Sequence, residues 1–113
     1  MSDVIRLTET NFEQEVLRAD LPVLVDCWAP WCGPCRVVEP VIERIADERA
    51  GALKVAKVNV DEQPRLADLA GVRGIPFLVL YHNGEPTAHV VGAHPKHTIE
   101  RALGLDAPTE QAA

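Results

Sequence analysis

Seven residues, Pro22-Val23-Leu24-Val25-Asp26-Cys27-Trp28, form a nearly continuous apolar run of strand length, and a helical pattern starts a few residues later. A strand that shows almost no polar alternation is one covered on both faces, so the chain must supply layers above and below a sheet. From Pro34 to Arg49 the apolar positions Val38, Val41, Ile42 and Ile45 follow helical spacing, and Gly51 ends the segment. Pro40 lies inside that helix, where it removes one backbone donor and predicts a kink. Between strand and helix stands Trp31-Cys32-Gly33-Pro34-Cys35.

The remaining elements fit around this pair. Ile5 and Leu7 alternate with polar neighbours as a short first strand. Thr10 and Glu13 have capping-box spacing before a two-turn helix carrying Phe12, Val16 and Leu17. Leu53 to Val60 reads as another buried strand, and Pro64 to Ala70 as a short helix closed by Gly71. Phe77 to Tyr81 and Thr87 to Val91 are strands joined through Asn83-Gly84, a hairpin signal that makes them antiparallel. Pro95 opens a last helix with Ile99, Ala102 and Leu103 on its apolar face. The order β-α-β-α-β-α-β-β-α predicts an α/β fold, a mixed five-stranded sheet flanked by four helices. Residues 1–105 read as one domain, and 106–113, which lack periodicity, as a flexible tail.

Charge and cysteine usage narrow the function classes. A net charge of −6 argues against a nucleic-acid partner, which demands a concentrated basic face. No apolar run approaches the roughly 20 residues of a membrane helix. Met1 to Arg6 shows no basic stretch leading into an apolar block, so no export signal and a cytoplasmic location are expected. Three clustered cysteines do not make a secreted disulfide framework.

The chemistry concentrates at Cys32 and Cys35. Cysteines three apart in a first helical turn lie close enough to close a disulfide. At the helix N-terminus, free N–H groups and the positive end of the dipole favour the Cys32 thiolate, which makes it the nucleophile. Cys35, one turn deeper, is placed to attack a mixed disulfide formed by Cys32. Two other readings compete. As a mere staple, so short a loop contributes about 2 kcal/mol. Zinc could be held if His94 and His97 completed a two-cysteine, two-histidine set, but the compact ligand spacing is missing; no metal site is expected. Asp26 interrupts the buried strand on the face of Leu24 and Trp28, where burial raises a carboxyl pKa toward the range useful for proton transfer.

The segment from Val25 to Cys35 resembles the active-site segment of the thioredoxin family. Val58-Asn59-Val60-Asp61, Arg73-Gly74-Ile75-Pro76 and Asn83-Gly84-Glu85 match further family segments in order, so the resemblance covers about residues 4 to 105. It implies the thioredoxin fold and a protein-disulfide reductase, a redox carrier in electron transport and cell redox homeostasis. In that reading Cys32 attacks, Cys35 resolves, and Asp26 acts on Cys35 near Lys57. Gly33 and Pro34 go with a reducing member, whereas oxidase and isomerase relatives carry histidine between the cysteines. Ile75-Pro76 would be the family's cis peptide, facing the cysteines, with Trp31, Gly74, Ile75, Gly92 and Ala93 around a substrate groove. Trp28 and Pro40 would be structural supports. The implied partners are an NADPH-dependent flavoprotein, thioredoxin reductase, and disulfide-containing targets; the chain itself would be a monomer holding no cofactor beyond its redox disulfide. The contrasting reading is a non-catalytic zinc-bound or scaffold binding module on the same fold.

Three residues depart from the family pattern. Cys27 stands where an aromatic is usual, Phe77 where threonine is common, and Ala70 where tyrosine is frequent. Strand alternation turns Cys27 away from Asp26, so it reads as a buried small hydrophobe with Phe77 refilling its volume.

Overall fold

The apolar run becomes the centre of the sheet. In the computed structural model, which describes residues 3–106, β2 (Val23–Trp28) lies between β3 (Lys54–Asn59) and β4 (Phe77–His82). The sheet order is β1-β3-β2-β4-β5, with β1 at Ile5–Arg6 and β5 at Glu85–Val91. β1, β3 and β2 run parallel, while β4 is antiparallel to both β2 and β5. The expected mixed sheet of five strands is therefore present.

Both faces of β2 are covered. Leu24, Val55, Leu78 and Leu80 meet Val38, Ile42 and Ile45 of α1 (Gly33–Glu48) and Ile99 of α3 (Lys96–Ala102). On the other face Val25, Cys27, Val58, Phe77, Val79 and Tyr81 meet Leu7, Phe12, Val16 and Leu66, the last from α2 (Pro64–Ala70). Each fully buried leucine or isoleucine contributes about 2 kcal/mol, and the alternation assigns neighbouring residues of β2 to opposite layers. α1 runs without a break through the exposed Pro40. Among the described residues no helix is long and apolar enough to cross a membrane.

The structure corrects four local expectations. The first helical segment is a single π-type stretch, Glu13–Leu17, in which Arg18 N–H donates to Glu13 O, five residues back. Its entry is not fixed by Thr10 and Glu13. Thr8 N–H donates to Asn11 Oδ1 at 2.7 Å and Asn11 N–H donates to Thr8 Oγ1 at 3.3 Å, so the reciprocal box sits two residues earlier. β5 begins at Glu85 rather than Thr87, because Pro86 on an edge strand breaks no interior ladder and a register shift at Leu80/Tyr81 absorbs it. In α3, Ala102 is exposed while Ile99 and Leu103 are buried.

The hairpin is confirmed in detail. Asn83 and Gly84 both have positive φ, 54° and 82°, the requirement of a type I′ turn. A Cβ at Gly84 would stand 2.7 Å from Leu17 O, so the turn packs on the end of the π segment and admits glycine alone. Of the tail expected over 106–113, Asp106 closes a turn, and 107–113 lie outside the described residues.

Candidate active site

Where β2 ends, Ala29 is fully buried and Cys32 N–H donates to Ala29 O at 3.1 Å, a tight turn that delivers Cys32 to the start of α1. Cys32 is the N-cap, with extended backbone (φ −91°, ψ 105°), and Pro34 occupies the first turn, where its missing donor costs nothing. The Sγ atoms of Cys32 and Cys35 are joined in a disulfide, with Cα atoms 5.3 Å apart. Cys35 N–H donates to Cys32 Sγ at 3.2 Å. The cap donor and the helix dipole both favour negative charge on Cys32 Sγ once the pair is reduced.

Burial does not separate the two cysteines: in the disulfide form each residue is 4% exposed. Ala29, Trp28, Val60 and Ile75 pack around the pair. What distinguishes the two sulfurs is position along the helix: Cys32 precedes its first residue, and Cys35 lies within its first turn.

Behind the cysteines is a pocket of about 250 Å³ lined by Asp26, Trp28, Pro30, Cys35, Arg36, Glu39 and Lys57. Asp26 is buried, and its Oδ1, like Trp28 Nε1, has no hydrogen-bond partner among the described residues. Burial pushes the Asp26 carboxyl up to about 7; Lys57 opposes the shift and Glu39 adds to it. Asp26 and Lys57 are register partners across β2 and β3. Lys57 Nζ lies 3.7 Å from Glu39 Oε2 and 5.3 Å from the centroid of the Trp28 ring. The pocket thus brings Asp26, Lys57, Trp28 and Cys35 together.

Sequence reasoning assigned no role to Glu39 and Arg36. The signal was available for Glu39, since a residue four after Cys35 on a helix shares its face. Asp61 was also passed over: its Oδ2 accepts from Trp31 Nε1 at 2.8 Å and holds that ring, 70% exposed, beside the cysteines.

The other side of the cysteine pair is built by the loop before β4. The Ile75-Pro76 bond is cis, and Ile75 packs on the pair. Gly92 N–H donates to Pro76 O at 2.8 Å, and Gly74 abuts Val91. Gly33, Pro34 and Ala93 are exposed, and Pro40 lies outside the pocket behind the cysteines. Among the described residues, neither the backbone N–H nor the C=O of Ile75 has a hydrogen-bond partner.

Cys27 is fully buried on the face opposite Asp26, and Phe77 is its register partner in β4. Burial, reinforced by Asp26, pushes the Cys27 thiol up to about 12. His94 Nε2 lies 2.8 Å from Val91 O and His97 faces Arg101, so the two histidines are engaged locally. Among the described residues no group of three or more His, Cys, Asp or Glu side chains could hold a metal ion.

A mixed sheet carrying a cysteine pair on a helix cap defines a thiol–disulfide exchange protein, one whose resident redox group is its own disulfide. The sequence pattern of the family described as Thioredoxin matches residues 3–104. Thioredoxin 1 of Nostoc sp. is 50% identical over 103 residues, spanning 91% of this chain and 96% of that protein. Thioredoxin of Porphyra purpurea is 50% identical over 100 residues, 88% and 94% of the two chains, and Thioredoxin M4, chloroplastic, of Arabidopsis thaliana is 39% identical over 101 residues, 89% and 52%. The chain belongs to the thioredoxin family, and its fold is the thioredoxin fold.

Proposed function

We propose that this chain reduces disulfides of other proteins, with Cys32 as nucleophile and Cys35 as resolving thiol. The observation that carries the reading is the Cys32–Cys35 disulfide on the α1 cap beside the buried, unpartnered Asp26 carboxyl. The Cys32 thiolate attacks one sulfur of the target disulfide, forms a mixed disulfide and expels the first target thiolate. Cys35 loses its proton to Asp26, through water in the pocket, and its thiolate attacks Cys32 Sγ. That step expels the second target thiolate and closes the Cys32–Cys35 disulfide, so two electrons pass to the target and protons restore its two thiols. Lys57 favours the charged form of Asp26 and so assists the carboxylate between turnovers.

Targets dock as extended segments on the free backbone of Ile75, bordered by Trp31, Gly74, Pro76, Gly92 and Ala93. Gly33 and Pro34 set the reducing character of the pair, and Trp28 and Pro40 support it. Electrons reach the disulfide from NADPH through a thioredoxin reductase, and the chain works as a monomer in the cytoplasm, in electron transport and redox homeostasis. Residues 1–105 are the working domain. NADPH oxidation coupled to reduction of a model protein disulfide, with a thioredoxin reductase present, tests the reading. No turnover with chemically reduced chain either would overturn it.

A further inference from the structure

A second concavity begins where the docking loop ends. It measures about 540 Å³ and lies on the sheet face opposite Asp26, with Ala70 and Arg73 on one side, Phe77 at its floor, and Pro86, His89 and Val91 of β5 on the other. Phe77 is nearly buried and His89 stacks on its ring, centroids 5.3 Å apart with 22° between planes. Val91, 47% exposed, is the residue that Gly74 abuts, so the groove is continuous with the loop that packs on the cysteine pair. Its charge contrasts with the whole. The chain carries −6, yet among the described residues the lining includes Arg73 and His89 and no carboxylate. Among the described residues Arg73 makes no ion pair.

We infer that this groove reads the target segment beside its cysteine, taking an aliphatic side chain against the exposed Val91 and a carboxylate against Arg73. The inference rests on the reductase reading above, because the occupant is the chain of a docked target. Gly74 stands between Ile75 and Arg73 in the chain and abuts Val91, so a segment docked on Ile75 has this groove as its neighbour, and the small side chain of Ala70 leaves room in it. Among the described residues Arg73 supplies the only fixed positive charge of the lining, and a guanidinium without an ion pair there offers a carboxylate a paired contact. The selection is modest, since the pair is exposed, and amounts to about threefold in rate.

Peptides containing one intramolecular disulfide and a Leu-Glu or Leu-Lys pair two to four residues from a cysteine, on either side, provide the probe. Reduced full-length chain is mixed with each, and the second-order rate of reduction is followed at low and high salt, with a small-molecule disulfide as reference. The Leu-Glu peptide of one series should react about threefold faster than its Leu-Lys partner, with the difference shrinking in salt. Arg73→Gln should abolish that preference and Arg73→Glu should reverse it, both leaving the small disulfide unchanged. Ala70→Tyr, which narrows the groove, should slow both peptides of that series and spare the small disulfide. Equal rates for the two peptides in every series, or a preference that survives Arg73→Glu, would overturn the inference. If the unmodified chain reduced no disulfide, small or peptidic, the reductase reading itself would fall.

Discussion

Asp26 and Lys57 face each other in register across β2 and β3, yet the lysine ammonium lies 3.7 Å from Glu39 Oε2, and Asp26 Oδ1 has no partner among the described residues. The lysine is near enough to lower the Asp26 pKa but does not neutralise the cost of burying its charge, and the carboxyl stays at about 7. A proton acceptor balanced near neutrality beside Cys35 follows from that incomplete pairing.

The same imbalance makes stability depend on pH. An unfolded aspartate loses its proton near its ordinary 3.8, whereas folded Asp26 keeps its proton up to about 7. Between those values the folded state binds more protons, so stability falls as pH rises through the window and levels off above it. The full loss is about 4 kcal/mol. Asp26→Asn has nothing to ionise, so its urea midpoint should change less between pH 4 and 8 and exceed that of the parent at pH 8. Identical pH profiles for the two proteins would remove the buried charge from the stability account. Stopped-flow reduction of a protein disulfide by Asp26→Asn should show a slow second step at neutral pH, with the first step unchanged.

Neighbouring charges should move the Asp26 titration in opposite directions. Glu39 raises the carboxyl pKa and Lys57 lowers it, so Glu39→Gln should bring the midpoint below about 7 and Lys57→Met should carry it above. Carboxyl carbon chemical shifts in an NMR titration read this directly. Shifts of one sign in both variants would mean that a change of packing, rather than charge, controls the group.

The two cysteines should separate cleanly by substitution. Cys32→Ser removes the attacking sulfur and should abolish turnover, while Cys35→Ser removes the resolving thiol and should leave targets trapped on Cys32. Mass spectrometry of the adducts distinguishes the cases. Trapping on Cys35 in Cys32→Ser would reverse the assigned roles, despite the cap position of Cys32.

The sequence carried the sheet because β2 is almost wholly apolar, β3 sends Val55 into one layer and Ala56 and Val58 into the other, and the hairpin residues Asn83 and Gly84 specify one turn. It also carried the cysteine cap, whose strand–turn–helix setting is local. The Thr8–Asn11 box was missed because Thr10 and Glu13 have the same spacing, and only hydrogen-bond geometry tells the frames apart. Equal burial of the two cysteines was not legible either, because it depends on Val60 and Ile75 arriving from distant parts of the chain beside the nearby Trp28. Glu39 was hidden for a different reason: an exposed helical carboxylate looks like solvated surface until Lys57 is placed beside it.

Cys27 and Phe77 give the last test, because they occupy paired positions in β2 and β4 and both depart from the family pattern. Cys27 is fully buried in the layer formed with Phe77, Val79 and Tyr81, on the face away from the redox pair. Burial comes first and Asp26 second in pushing its thiol to about 12, so the reactive thiolate is scarce at neutral pH. Alkylation of the reduced native chain should therefore label Cys32 quickly and leave Cys27 unmodified until the protein unfolds. Cys27→Ala should keep full reductase activity and lose about 1 kcal/mol, the usual scale for a small buried cavity. If Phe77 fills the volume an aromatic would take at position 27, Phe77→Thr should cost less stability in a Cys27→Phe background than in the parent. Chemical denaturation of the four proteins in that cycle measures the coupling. Rapid labelling of Cys27, or lost activity in a folded Cys27→Ala, would instead reveal a third working thiol.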